Sequence, residues 1–519
     1  MHKPHYSTTE QRVQIVSELL ANAGQYGMVS SVSRRYEVSR ETLYTWKREG
    51  KEALKAVFTA KEQPGGQEIS LERAVLTLLT EGHASYRGIQ VCLESLLGIP
   101  ISIGKIAAIV QEAGRKAQAW MEHQVPGGKR ALAIDEQYSH KRGEGYLNIV
   151  DVHSGLVLAS VPPVKVDGDS WKILLWQMEE QGIKWYMIVS DGGRAIQDAV
   201  DDFQPLQDKT QEILSKPAHQ RDTWHVSDEC RKVQYRLDRQ VQKWKEQTKT
   251  VERQAARVAA GKRPRGVNPK TDVQAHAALV SRAEYVANSV RYLRHELQRF
   301  LAVVVLSTTP EPSLLLSHQR SEELDVLLDL LTDLREVAPA PMRSHIDGLY
   351  THIKSALPRL VSFVADLDEV QQKALQEIGP AAVHLIGWAW LHRTILGERS
   401  QLQISDFPQE WHENVRELLS AWDLTVRASS CVENWHSVLR PFLAVHRSLS
   451  AAMLALLAVW HNHRVAPRGL HQGQSPIQRS GIQKDATDWL VALGYPPASP
   501  TPAVRPLVSA KPEQGILAA

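Results

Sequence analysis

Apolar residues recur at helical spacing through the first sixty positions. Ser7 and Glu10 make a capping-box pattern ahead of Val13, Ile15, Val16, Leu19 and Leu20, and the predicted helix stops near Gly24 and Gly27. A short helix over 29–36 follows. After a break at 37–39, a longer helix runs from Arg40 to about Phe58, with Ser39 as N-cap. Val32, Val38, Leu43 and Trp46 supply a compact three-helix core with helix-turn-helix spacing. Pro64, Gly65 and Gly66 mark a linker. The plan then repeats over 69–116, with one helix over 71–79, a second capped by Ser85 and a third capped by Ser102 after Gly98 and Pro100.

Near residue 130 the period becomes that of strands. Residues 131–138, 146–152 and 155–161 read as three strands, and 171–181 as a helix. Residues 184–190 read as a buried strand ending in Asp191-Gly192-Gly193, followed by a helix to about Phe203. Hairpin-linked strands, a helix and a buried strand make an α/β layer. From about 225 to 400 the pattern is almost only helical. The last stretch, 495–519, has six prolines and few large apolar groups and reads as a disordered tail.

Composition narrows the classes. A chain of 519 residues exceeds one ordinary core. Its longest apolar runs, such as 451–460, are about half a membrane span, so no membrane partner is expected. The polar start, residues 1–10, carries no secretory signal, and cytoplasmic, nucleoid-associated localisation is expected. Cys92, Cys230 and Cys431 stand too far apart for a disulfide framework or a CxxC zinc site. His2, His5, His461 and His463 come in pairs without Cys or carboxylate partners at ligand spacing. Net charge is +3, so a nucleic-acid surface must be local. Residues 231–299 carry 17 Lys plus Arg against 6 Asp plus Glu, whereas 321–336 are acidic. Such blocks can be solvated helix faces or binding faces.

Asp135 falls inside the first strand, among Ala131, Leu132, Ala133 and Ile134, where a carboxylate needs a cation or donors. Asp191 ends the buried strand. If the two strands are neighbours, both carboxylates point at one spot, as divalent-metal sites for phosphoryl transfer require. Alternatively, Asp191 caps the next helix and Asp135 pairs with a basic group. Glu136 is expected on the opposite side of the strand and Asp151 in the following turn, so neither is a candidate. Residues 431–440 read as an amphipathic helix, kinked or ended by Pro441. Glu433, His436 and Arg440 share one face, opposite Trp435, Val438 and Leu439. That face suits a metal and a phosphate, or simply water.

The order strand-Asp135, hairpin strands, strand-Asp191-Gly-Gly and a distant helical Glu433 in Ser430-Cys-Val-Glu-Asn-Trp-His436 resembles the RNase H-like catalytic domain of DDE transposases. Val38-Ser-Arg-Glu-Thr-Leu-Tyr44 with Trp46 is similar to the DNA-binding heads of bacterial insertion-sequence transposases. Trp460-His-Asn-His-Arg464 and Gly473-Gln-Ser-Pro476 look like the tail of such enzymes. The resemblance spans about 10–485. It implies an α/β RNase H-like core with N-terminal all-α helix-turn-helix domains and a large all-α insertion, because Asp191 and Glu433 are far apart. Its implied site is Asp135, Asp191 and Glu433 binding two Mg²⁺ ions, with Mn²⁺ as a substitute. Asp222-Thr-Trp-His225 resembles a family motif after the second Asp; otherwise His225 is a core histidine beside a buried tryptophan. His225, Asn434, His436 and Arg440 are candidates for orienting phosphate or carboxylates.

The expected domains are 1–62 (helix-turn-helix), 69–120 (a second helix-turn-helix-like unit), 130–230 (catalytic core, first part), 231–410 (helical insertion), 411–490 (core, second part) and 495–519 (tail). The expected function is a DNA transposase that cuts and joins element ends. The alternatives are a non-catalytic regulator or domesticated relic, and a nuclease of the same fold that cuts without joining. Expected partners are double-stranded DNA (the element's terminal repeats and target DNA) and further copies of the chain in a homo-oligomer on DNA. In the helix after Ser39, Arg40, Glu41, Tyr44, Thr45 and Arg48 would read the major groove. Lys262, Arg263 and Arg265, around Pro264, would reach phosphates from a loop.

Overall fold

A computed structural model describes residues 8–59, 70–204, 218–262, 272–393, 404–469 and 471–497. The chain forms two compact units, residues 1–125 with 437–519, and residues 126–436.

In the first unit, α1 (Thr9–Ala21), α2 (Met28–Tyr36) and α3 (Arg40–Thr59) enclose Ile15, Leu19, Val32, Val38 and Leu43. The capping box of α1 is Thr8 with Gln11, whose N–H donates to the Thr8 hydroxyl at 3.2 Å. It replaces the Ser7–Glu10 pair expected from sequence, because a Gln at the third helical position reaches back as well as a Glu does. Three residues join α2 to α3. Glu37 takes the left-handed conformation there (φ 54), and the Ser39 hydroxyl accepts the Thr42 N–H at 3.0 Å. Next come α4 (Leu71–Thr80), α5 (Tyr86–Leu97) and α6 (Ile103–His123), capped by Ser70, Ser85 and Ser102.

The second unit opens with β1 (Lys129–Tyr138), β2 (Glu144–Asp151), β3 (Val157–Ser160) and β4 (Val164–Lys165). Then follow α7 (Gly168–Glu180), β5 (Lys184–Ser190), α8 (Arg194–Asp202) and β6 (Ala218–Arg221). The sheet order is β3-β2-β1-β5-β6, with β4 also on β2. β1, β2 and β3 pair antiparallel, whereas β1, β5 and β6 pair parallel. The two short strands β4 and β6 lack a readable alternation and were not expected from sequence.

Asp222 passes the chain directly from β6 into α9 (Thr223–Ala259). The helical run thus starts before the expected boundary at 231. It continues as α10 (Val273–Phe300), a small hairpin of β7 (Leu306–Ser307) and β8 (Ser313–Leu314), α11 (Ser317–Val337) and α12 (Ala340–Leu360). α13 (Ser362–Glu377), α14 (Pro380–Leu391) and α15 (His412–Leu424) complete it. α9 to α12 share one apolar core that includes Leu237, Val290, Leu331 and Ile346. α13 to α15 share a second with Phe363, Ile386 and Trp422.

The helix bearing Glu433, α16 (Ser430–Val445), runs through Pro441 instead of ending there. A proline inside a helix removes one backbone hydrogen bond but need not terminate it. In the first unit, α17 (Ala451–His463) lies so close to α6 that a Cβ on Gly114 would stand 2.6 Å from the Ala452 carbonyl oxygen. α18 (Pro476–Arg479) and α19 (Trp489–Ala492) follow. The expected tail begins with an ordered residue. Tyr495 is buried, its ring 4.1 Å from the Lys116 ammonium, because an aromatic ring gains from burial with a cation on its face. Residues 498–519 and the linker around Pro64 lie outside the described residues.

Arg320 is fully buried and donates to the carbonyls of Leu315 (2.9 Å), Ala302 (2.6 Å) and Val303 (2.9 Å), tying α11 to the end of α10. Arg320→Met would leave those carbonyls unsatisfied. It should destabilise this unit by about 3 kcal/mol, read as a lower urea midpoint.

Candidate functional site

β1 and β5 are parallel neighbours, with Ala133 opposite Val189. Two places on, the same register puts Asp135 level with Asp191. Both acids therefore stand at the C-terminal edge of the sheet. β5 ends at Ser190 while β1 continues to Tyr138, paired there with β2 alone, so the turn after Asp191 lies beside a stretch of β1 that has no strand partner on the β5 side. Gly193 donates its N–H to Asp191 Oδ1 at 2.7 Å, and Gly192 takes φ +79. The Arg221 guanidinium, from β6, donates to the Gly192 carbonyl at 3.2 Å and fills the place a Cβ on Gly192 would need. Only glycine meets both conditions.

The Asp191 turn is also held from behind. Arg359 of α12 donates to His219 Nδ1 at 3.2 Å, so that nitrogen accepts and Nε2 carries the proton. His219 Nε2 is 2.8 Å from Ser190 Oγ, which accepts the Gly192 N–H at 3.1 Å. Burial, and then Arg359, lower His219 to about 4.

Glu433 arrives from the first turn of α16. His436 Nδ1 is 3.7 Å from Asp135 Oδ2 and 3.9 Å from Glu433 Oε2. One candidate ligand atom from each of these three residues lies within 4.8 Å of the other two. The start of α16 is held to the start of α9. Asp222 is 2% exposed and caps α9 by accepting the Trp224 N–H at 2.7 Å. Its other oxygen accepts the Ser429 N–H (2.7 Å) and hydroxyl (2.6 Å). The motif containing Asp222 therefore acts here through the aspartate. His225 meets Trp224 edge-on at 5.1 Å, and Trp224 is exposed, not buried as the core reading required. The first turn of a helix that carries its own cap leaves that indole on the solvent side.

Glu136 belongs to the cluster, contrary to the expectation that it faces away. Its Oε1 and Asp191 Oδ1 both lie within 3.8 Å of the point where a Cβ on Gly193 would stand, and Tyr138 donates its hydroxyl to Oε1 at 3.0 Å. Strand alternation sends the Cβ atoms of neighbours to opposite faces. Here β1 keeps β2 on one side but has passed the end of β5 on the other, and the glycine turn there leaves room for the long Glu136 side chain beside Asp191. Asp151 does serve the turn, accepting from Ser154 and facing Arg130 at 3.4 Å.

The cluster is electrostatically costly. Asp135 is 9% exposed, and burial, then Asp191 and Glu136, push it up to about 8; the Glu136 N–H, at 2.9 Å, works in the opposite direction. Burial raises Glu136 too. Asn434 is exposed beside Glu433, and Arg440 follows one turn after His436, also exposed.

Residues 1–66 match the sequence model of a helix-turn-helix family described as Transposase. Comparison of the chain with curated proteins finds no match. The match covers α1 to α3, whose three-helix arrangement is consistent with a helix-turn-helix. On α3 Arg40, Glu41, Tyr44 and Arg48 are exposed and Thr45 is half-buried, while Leu43 faces the core. Lys262 is exposed just after α9, and Arg263 and Arg265 lie outside the described residues.

The outer face of α9 was not singled out in the sequence. Arg236, Arg239, Lys243, Arg253 and Arg257 recur there at three-, four- and ten-residue steps, opposite the buried Leu237, Val241, Trp244 and Val251. All five are exposed, and among the described residues none forms an ion pair. At 1.5 Å per residue the stripe is about 32 Å long.

Asp135 binds its proton more tightly in the folded chain than in the unfolded one. Without metal, stability should therefore fall as pH rises from the ordinary carboxylate range to about 8. Asp135→Asn should flatten that fall and raise the melting temperature at pH 8 by roughly 2–4 °C, measured by calorimetry in chelator.

Proposed function

We propose that this chain is a DNA transposase whose catalytic centre is Asp135, Asp191 and Glu433 on an RNase H-like sheet. The observation that carries the reading is the meeting of three acids at Asp135: Glu433, from a helix 242 residues beyond Asp191, lies in one ligand-distance group with it, and Asp191, at the end of the parallel neighbour strand, raises its proton affinity, in a chain whose head matches a transposase helix-turn-helix family. A three-strand antiparallel meander flanked by two parallel strands supports the fold assignment. No helix among the described residues is long and apolar enough to cross a membrane; a place on DNA in the cytoplasm is part of the proposal.

The donor set is carboxylate oxygen, which suits hard divalent ions such as Mg²⁺, with Mn²⁺ as a substitute. Glu136 Oε2 is buried without a partner, an atom that a cation in this cluster would satisfy. Asp135, Asp191 and Glu433 would together hold the ions. When bound, the ions activate the attacking oxygen and stabilise the leaving one.

The remaining work belongs to the protein. The Gly192–Gly193 turn and Arg221 set the direction of Asp191, and the Asp222–Ser429 contact sets the start of the helix carrying Glu433. His225, Asn434 and Arg440 would orient phosphate or carboxylates. Water attacks a phosphodiester at the element end. A new P–O bond forms, the bond to the 3′ oxygen breaks, and a 3′-hydroxyl is left. That hydroxyl then attacks a target phosphodiester and displaces its 3′ oxygen, joining the strands.

The head would select the element's terminal repeats. Arg40 would pair with guanine, a contact worth roughly 1–3 kcal/mol of discrimination, with Glu41, Tyr44, Thr45 and Arg48 beside it. The α9 stripe would follow the phosphate backbone, Lys262, Arg263 and Arg265 are proposed to contact phosphates as well, and copies of the chain would assemble as a homo-oligomer on DNA.

Asp135→Asn, Asp191→Asn and Glu433→Gln should each abolish cleavage and joining of a labelled element end in Mg²⁺ while leaving its binding intact. Near wild-type joining by any of them would remove that residue from the centre. Cutting without joining by the unaltered protein would make it a nuclease.

Neutralising Arg239, Lys243 and Arg253 together should flatten the slope of log affinity against log salt by roughly 2–3 units with unchanged sequence preference. Titration of labelled duplex at several salt concentrations checks this.

A further inference from the structure

β2 carries a polar residue in an otherwise apolar run. Asn148 is fully buried, and the strand registers set it directly between Asp135 on β1 and Ser160 on β3. Cross-strand partners share one face of a sheet. α16 meets that face with two consecutive buried side chains, Trp435 and His436.

The hydrogen bonds leave no freedom in this group. The Trp435 indole can only donate, and its Nε1 is 2.9 Å from Asn148 Oδ1. The Ser160 hydroxyl donates to the same oxygen at 2.7 Å. The amide oxygen is thereby assigned, so the Asn148 NH₂ faces the other way. One of its hydrogens goes to the Tyr146 carbonyl at 3.2 Å, and the other to His436 Nε2 at 3.1 Å. His436 Nε2 must accept. A neutral imidazole has one donor and one acceptor, so its proton sits on Nδ1. Nδ1 is the atom that faces Asp135 and Glu433.

We infer that His436 is a positioning residue, held by Asn148 and Trp435 as an Nδ1–H donor toward the carboxylates of Asp135 and Glu433, and is not itself a metal ligand. Grouped by distance alone, His436 would be a third ligand. But a nitrogen that carries a proton has no lone pair for a cation. What it offers is a fixed dipole between two acids that repel each other, one from the sheet and one from the helix. The inference rests on the metal-dependent reading of the acidic cluster for its consequence, but not for the tautomer.

Two measurements separate donor from ligand. The first is nitrogen NMR of the full chain labelled with ¹⁵N-histidine, the His436 signals being identified among 21 histidines by their loss in His436→Ala. At neutral pH, with and without Mg²⁺, the protonated nitrogen should be Nδ1. An Nε2-protonated ring, or loss of the Nδ1 proton on adding Mg²⁺, would overturn the inference.

The second is Mg²⁺ and Mn²⁺ affinity by calorimetry. His436→Ala removes the donor and should weaken binding by about 10–100-fold, the usual cost of losing a group that orients a ligand. His436→Asn restores an N–H at the Nδ1 position without an imidazole and should return affinity to within about threefold of the parent. Equal losses in both variants would make His436 a ligand and sink the proposal. If His436→Ala does not fold, the wild-type resonances decide, with assignment through His436→Asn. Failure of the unaltered protein to bind either ion would instead overturn the metal-dependent reading, and the tautomer would still be read from the spectrum.

Discussion

Carboxylates that share one low-dielectric corner repel one another, and the second unit is arranged around that repulsion. Asp135, Glu136, Asp191 and Glu433 all act on the same small volume, and Asp135 responds by holding its proton up to about pH 8. Two unit charges a few ångströms apart cost far more inside a protein than in water. Nothing local to any of the four segments favours the cluster. It persists because the sheet, the glycine turn and α16 are each over-determined by contacts elsewhere, and the stored repulsion is what a divalent cation would relieve.

The bracing differs from acid to acid. Asp135 is placed by its pairing with Asn148 of β2 and by the β1–β5 register that ends two residues before it. Asp191 lies one residue beyond its strand and depends on the chain from Arg359 through His219 to Ser190, and on Arg221 against Gly192. Glu433 depends on Asp222, whose single buried carboxylate caps α9 and anchors the residue before α16. The long helical stretch is thus not an appendage to the sheet. Its first helix supplies the anchor for Glu433, and α12 supplies the arginine behind Asp191. Arg427, near α16, also donates to the Leu301 carbonyl at the end of α10 at 2.8 Å.

The same stretch divides its charges by face. Cations near the seam with α10 are paired, as in Lys245 with Glu284 and Arg291 with Asp238. Arg236, Arg239, Lys243, Arg253 and Arg257 on the outer face of α9 form no ion pair among the described residues. A net charge of +3 spread over the whole chain says little, but a row of unpaired guanidinium and ammonium groups on a rigid helix presents a field at fixed spacing. That is the form of charge a phosphate backbone can use.

Local features were legible from residue order. The serine caps at Ser39, Ser85 and Ser102, the turn at Glu37, the buried strand ending at Asp191 and the helix around Glu433 depend on neighbours within a few positions, so periodicity and capping chemistry reveal them. The candidate acids Asp135 and Asp191 were visible for the same reason, as carboxylates out of place in apolar strands. Asn148 carried that same signal in β2 and passed unnoticed, because a buried amide declares its partner only once the register puts it between Asp135 and Ser160. The nearness of Glu136 to Asp191 is not legible from alternation, because it depends on where β5 ends beside β1 and on the space left by Gly193, and both are tertiary facts. The contacts of Asp222 with Ser429 and of Asn148 with His436 join residues 207 and 288 positions apart. Such convergence is fixed by strand order and helix docking, which minimise exposed apolar surface over the whole unit and leave no trace in any short window of sequence.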